Sequence, residues 1–127
     1  MKLLLDTHTF IWWATEPERL SQRALSLLED DDETPIISVV NLWEIQIKSA
    51  VGKLDLEKPL SEIVSTFQDN GIEVLPIRTA HVMALSRLPN HHQDPFDRIL
   101  MAQAITEDMA ILSKDAAFKR YPVQTIW

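Results

Sequence analysis

The stretch Lys2-Leu3-Leu4-Leu5-Asp6-Thr7 decides the fold: three leucines in succession, then an acid, then a segment with helical spacing. A short run that is apolar at every position suits a buried strand. Further short strands are expected at Pro35-Ile36-Ile37-Ser38, Ile72-Glu73-Val74-Leu75, Met109-Ala110-Ile111-Leu112 and Val123-Gln124-Thr125-Ile126. Between these runs, helices are expected from Thr7 to about Ala14, Leu20 to Glu29, Val39 to about Val51, Pro59 to near Asn70-Gly71, 79 to 87, and Pro95 to about Glu107. Ser38 is placed to cap the third helix and Gly52 to stop it. Strands joined by connections too long for hairpins imply an α/β fold, with a mostly parallel sheet covered on both faces. Function then belongs at the carboxyl edge of that sheet.

At 127 residues the chain fits one domain, 1–127, large enough to bury roughly two thirds of its unfolded surface. No apolar run approaches the ~20 residues that span a bilayer. The apolar start is broken at Asp6 and His8, so it is not read as a signal peptide, and a cytoplasmic location is expected. The absence of cysteine leaves oxygen and imidazole as the only metal ligands. A net charge of −7 argues against a broadly basic nucleic-acid surface. Setting aside four of the 19 acids as a metal site leaves 15 against 12 Lys and Arg, a balance of only −3. Two glycines in the whole chain exclude a glycine-rich phosphate loop. The run Asp30-Asp31-Asp32-Glu33 lacks the spaced ligands of a calcium loop and reads as a solvated turn.

Four acids fall where chemistry is expected. Asp6 and Asp115 each follow a strand, and each also suits a helix cap. Glu44 lies among Val40, Trp43, Ile47 and Val51 on what reads as a core-facing stripe, with Lys48 one turn on as a simple ion-pair partner. Asp94, before Pro95, is best read as a cap, and Asp97 sits in the first turn of the same helix. Separate caps do not explain why two strand-end acids, a helix-face acid and a helix-start acid all reach one sheet edge. Converging carboxylates repel unless a cation compensates them. Mg²⁺, or Mn²⁺, suits such oxygen ligands, and a site of this kind suits phosphodiester hydrolysis.

These residues resemble the PIN domain family and, within it, the VapC-type toxins of bacterial toxin–antitoxin pairs. The resemblance rests on Leu4-Leu5-Asp6-Thr7-His8, Ser38-Val39-Val40-Asn41-Leu42-Trp43-Glu44-Ile45, Asp94-Pro95-Phe96-Asp97-Arg98-Ile99-Leu100-Met101-Ala102-Gln103-Ala104 and Leu112-Ser113-Lys114-Asp115, and covers essentially the whole chain. It implies a PIN-like three-layer α/β/α sandwich and an Mg²⁺-dependent endoribonuclease, with Asp6, Glu44, Asp97 and Asp115 as catalytic metal ligands. Thr7 and Ser113 are implied as supporting residues, with Asp94 as an accessory. The resemblance also implies an RNA substrate, a VapB-like antitoxin whose tail enters the groove, and homodimers.

Arg98, Lys48 and Lys114 lie near the acids in sequence and are candidates for RNA phosphates, with solvated surface as the bland alternative. Trp12 and Trp13 offer apolar area to a dimer or antitoxin surface, or to the core. His91 and His92 beside Asp94 invite a weaker zinc reading, whereas His8 and His81 read as packing or surface residues. Two other classes compete. One is a catalytically silent PIN-like module that binds RNA or a peptide in the same groove. The other is a phosphotransfer or receiver domain, disfavoured because Thr7 and His8 stand where a second acid is wanted beside Asp6.

Overall fold

The computed structural model describes residues 1–91 and 94–127. Five strands, β1 (Lys2–Leu5), β2 (Thr34–Ser38), β3 (Glu73–Leu75), β4 (Ala110–Leu112) and β5 (Thr125–Ile126), form one sheet in the order β3-β2-β1-β4-β5. Among the described residues six α-helices lie between them: α1 (Thr7–Thr15), α2 (Gln22–Glu29), α3 (Val39–Ala50), α4 (Leu60–Asp69), α5 (Thr79–Ala84) and α6 (Pro95–Thr106), with a 3-10 turn between β4 and β5. The sequence implies a mostly parallel sheet, and every strand pairing among the described residues is parallel. Element limits differ from the sequence expectation by a few residues; the helix expected over 79–87 divides into α5 and a 3-10 turn at Leu85–Arg87. No helix among the described residues is long and apolar enough to cross a membrane.

The leucine run shows why the sheet is buried on both sides. Leu4, with Ile36 and Ile111, faces a core completed by Leu100, Met101 and Phe118. Leu3 and Leu5, one residue out of phase, face the opposite core with Ile37, Leu112, Phe10 and Ile63. β1 is central, with Leu4 opposite Ile36 of β2 and Leu5 opposite Leu112 of β4. After β1 the chain turns through α1, whose Phe10 enters the second core, whereas the turn Ala116–Arg120 after β4 sends Phe118 into the first. Neighbouring strands whose connections part to opposite faces leave a crevice at their carboxyl ends.

Helix α3 corrects one sequence expectation. Val40, Asn41, Glu44 and Ile45 are its buried residues. Trp43 (54% exposed), Ile47 (43%) and Val51 (63%), expected to share a core-facing stripe with Glu44, face outward instead. With Val39 they recur every fourth residue and form an exposed apolar row. Trp12 and Trp13 are half-buried; Trp13 stacks on Phe67 at 5.0 Å and Trp12 meets Trp127 at 6.0 Å. The molecule's outward apolar area therefore lies on α3 more than on α1.

Candidate active site at the carboxyl edge of the sheet

Asp6 is the first residue beyond β1 and is only 6% exposed. It caps α1, with Oδ1 accepting the Thr9 N–H at 2.8 Å, so the cap reading of its sequence position is correct. Its other oxygen accepts the Ser113 hydroxyl. Ser113 follows β4, and its Oγ also accepts the Asp115 N–H at 2.9 Å. One serine therefore ties the two strand-end acids together. Asp6 and Asp115 line a cavity of about 260 Å³ with His8, Thr9, Trp12 and Lys114. Asp115 itself is exposed and caps the turn after it, accepting the Ala117 N–H at 2.9 Å.

Glu44, 4% exposed, comes from α3 and is fixed on both oxygens. The Thr7 hydroxyl donates to Oε1 at 2.7 Å, and the Lys48 ammonium lies 2.5 Å from Oε2. Thr7, expected beside Asp6, instead donates to Glu44, and Lys48 is the ion-pair partner one turn on. Charge-assisted bonds of this kind offset the cost of burying a carboxylate.

Asn41, which sequence reasoning does not assign to the site, joins these groups. Its side-chain amide donates to the Leu5 carbonyl at 3.2 Å and the Thr7 hydroxyl at 3.1 Å, while its Oδ1 accepts the Ser38 N–H at 2.8 Å. Ser38 Oγ accepts the Val40 N–H at 3.0 Å and donates to Gln103 Oε1 at 2.6 Å. Gln103 in turn donates to the Pro76 carbonyl at 3.2 Å. The one signal in the sequence is local: Asn41, three residues beyond a serine cap, is where a capping-box partner stands. His81, expected to pack or lie at the surface, is fully buried, with Nδ1 accepting the Arg78 N–H at 2.9 Å and Nε2 2.8 Å from Glu107.

Asp94 caps α6, accepting the Phe96 N–H at 2.8 Å and the Asp97 N–H at 3.2 Å. Asp97 is half-buried in the first turn of α6, which packs against α3, and it does not line the cavity at Asp6. Arg98 braces the preceding loop, its guanidinium donating to the Pro89 carbonyl at 2.9 Å and to that of Leu85 at 3.4 Å. His91 is exposed against the Tyr121 ring, and His92, the other half of the zinc reading, lies outside the described residues.

The donor chemistry fits a hard divalent cation: carboxylate oxygens at the carboxyl edge of the sheet, two of the acids buried, and no thiolate. The grouping is looser than convergence of four acids implies. Among the described residues no three Asp, Glu or His side chains form a group able to hold a metal ion. The oxygens of Asp6 and Glu44 are engaged by Ser113, Thr9, Thr7 and Lys48.

A parallel five-stranded sheet with acids gathered after its central strands defines a class of α/β domain. The PIN domain model matches residues 3–124, and the chain belongs to that family. It is 31% identical to the protein named Ribonuclease VapC22 of Mycobacterium tuberculosis over 98% of each chain. Its fold matches a chain of VapBC2 from Rickettsia felis bound to promoter DNA, with TM-score 0.76 and 18% identity over 100% of this chain and 99% of the other. A DNA-bound VapBC from Salmonella typhimurium matches with TM-score 0.68 and 17% identity, over 99% and 97%.

Proposed function

We propose that this protein is an endoribonuclease, the toxin of a toxin–antitoxin pair, working in the cytoplasm on RNA and silenced by a VapB-like partner. The observation that carries the reading is the buried Asp6 carboxylate, fixed at the end of β1 and sharing a cavity with Asp115. Support comes from membership of the PIN family and from likeness to a named ribonuclease along nearly the whole chain. A divalent cation, Mg²⁺ or alternatively Mn²⁺, held by Asp6, Glu44, Asp97 and Asp115 would supply water activation and neutralise charge on the phosphate.

The protein's own residues do the rest. Ser113 and the Thr9 N–H fix both Asp6 oxygens, and Thr7 orients Glu44, so little reorganisation is needed at the moment of reaction. Lys114, exposed at the mouth of the cavity, meets a phosphate of the RNA, and Lys48 balances Glu44 until substrate arrives. Asp94 starts α6 and so sets the place of Asp97. The apolar row Val39, Trp43, Ile47 and Val51 supports a homodimer, because one helix face turned on its copy about a two-fold axis is self-complementary.

Purified protein is expected to cut a labelled RNA in Mg²⁺ or Mn²⁺ and to stop in EDTA, with Asp6→Asn and Asp97→Asn inactive. Equal cleavage by either variant overturns the assignment. The looseness of the acid group favours one second reading, a silent module, which predicts RNA retained without turnover under the same conditions.

A further inference from the structure

The cavity beside Asp6 shares a wall with a second cleft. His8 and Trp12 line both, and the second, an open cleft of about 360 Å³, is bordered by Arg19, Lys48 and Lys53. In a chain of net charge −7, three cations at one cleft stand out against the acids Glu16 and Asp55 on the same rim. The cations are placed by the fold. Gly52, with φ 75°, ends α3 in a left-handed turn in which the Gly52 N–H reaches the Ser49 carbonyl at 3.2 Å and the Lys53 N–H reaches that of Lys48 at 2.9 Å. That turn folds Lys53 back beside Lys48. The Arg19 guanidinium sits 4.6 Å from the centre of the Trp12 ring, and its pairing with Glu16 is a loose, exposed 3.6 Å contact. Among the described residues Lys53 has no acidic partner. His8 is exposed at the boundary between the clefts, with its ring 5.8 Å from that of Trp12.

A ring backed by an indole, beside long-chain cations and continuous with the acid-lined cavity, matches what a single RNA strand requires: a stacking surface for a base and charge for its phosphates. We propose that the second cleft is a subsite for the RNA strand flanking the phosphate at Asp6. A base rests on His8, and successive phosphates meet Lys53 and Arg19. The proposal rests on the ribonuclease reading, and binding is measured apart from cleavage so that the two fail separately.

The test uses full-length Asp6→Asn protein, a single-stranded dodecaribonucleotide and a trinucleotide, with anisotropy read over a salt series. Adding Arg19→Ala and Lys53→Ala is expected to weaken dodecamer binding about tenfold. Loss of two phosphate contacts lowers the salt slope by about 1.4. The affinity gap between long and short RNA narrows. Adding His8→Ala instead weakens binding about tenfold with the salt slope unchanged, as loss of a stacked base requires. A control pair of equal charge, Arg23→Ala with Lys119→Ala, leaves dodecamer affinity unchanged. Equal loss in the control pair, or none in the cleft pair, overturns the subsite. So does unchanged RNA affinity accompanied by weaker binding of a glutamate-rich peptide, which assigns the cleft to a protein partner. If Arg19→Ala lowers the melting temperature through loss of its contact with Trp12, Lys53→Ala alone carries the comparison, with half the change in slope.

Discussion

The two halves of the candidate site are built differently. Asp6 and Glu44 are buried, with each carboxylate oxygen engaged by a protein donor. Asp97 and Asp115 stand at helix or turn starts, half-buried and exposed. Burying a carboxylate is costly without partners, and in the first half protein donors supply them, with Lys48 adding an ion pair at Glu44. The second half is more open to water, Asp115 most of all. Truncations that remove the hydrogen-bond acceptors of the buried half should therefore disturb fold and chemistry together, and truncations in the open half should cost less stability.

The largest effect is expected at Asp6. Asn caps a helix as well as Asp does, so Asp6→Asn keeps the cap while removing the charge, and RNA turnover should fall by at least about 100-fold. Asp6→Ala loses the cap as well and should cost about 1 kcal/mol in urea denaturation. Were Asp97→Ala to cost as much stability, the contrast between the halves would break.

Asn41→Ala comes next. It strips a partner from the Ser38 N–H, the Leu5 carbonyl and the Thr7 hydroxyl, so a stability loss of about 1–3 kcal/mol is expected. Loosening Glu44 should lower turnover about 10–100-fold. Thr7→Val keeps the shape and the other Asn41 bonds while removing the hydroxyl that donates to Glu44 and accepts from Asn41, so it shares the turnover loss with a smaller stability loss. If Thr7→Val leaves turnover intact, Glu44 does not depend on this support.

Asp94→Asn sharpens the comparison from the other side. The amide oxygen still accepts from Phe96 and Asp97, so both stability and turnover should stay near wild type, unlike Asp97→Asn three residues away. The smallest effect on chemistry is expected at the apolar row: Trp43→Glu should convert a dimer to a monomer by light scattering, with the monomer's melting transition little changed because the side chain is 54% exposed. A dimer that survives this change uses another face.

The architecture is legible in the sequence because strands buried on both faces are apolar at every position, as Leu3-Leu4-Leu5 and Ala110-Ile111-Leu112 show. Asp6 and Asp115 are legible for the same reason, as the acids that follow those runs. The surroundings of Glu44 are not. Helical periodicity reveals that Val39, Trp43, Ile47 and Val51 share a face, but an interface and a core give the same pattern. The network of Asn41, Ser38 and Gln103 is hidden because the Ser38–Gln103 bond spans 65 residues and Thr7–Glu44 spans 37, distances no local motif encodes. The anchoring of Arg98 is hidden similarly, since its partners are carbonyls of a preceding loop with no side-chain signature.

Whether the two halves meet around one cation is best tested by calorimetric titration of Mn²⁺ into wild-type and Asp6→Asn protein, with melting curves recorded beforehand without metal. Saturable binding by the wild type and at least about tenfold weaker binding by Asp6→Asn, at matched melting temperatures, is the expected result. Equal Mn²⁺ affinity in the two proteins would contradict a metal site built on Asp6.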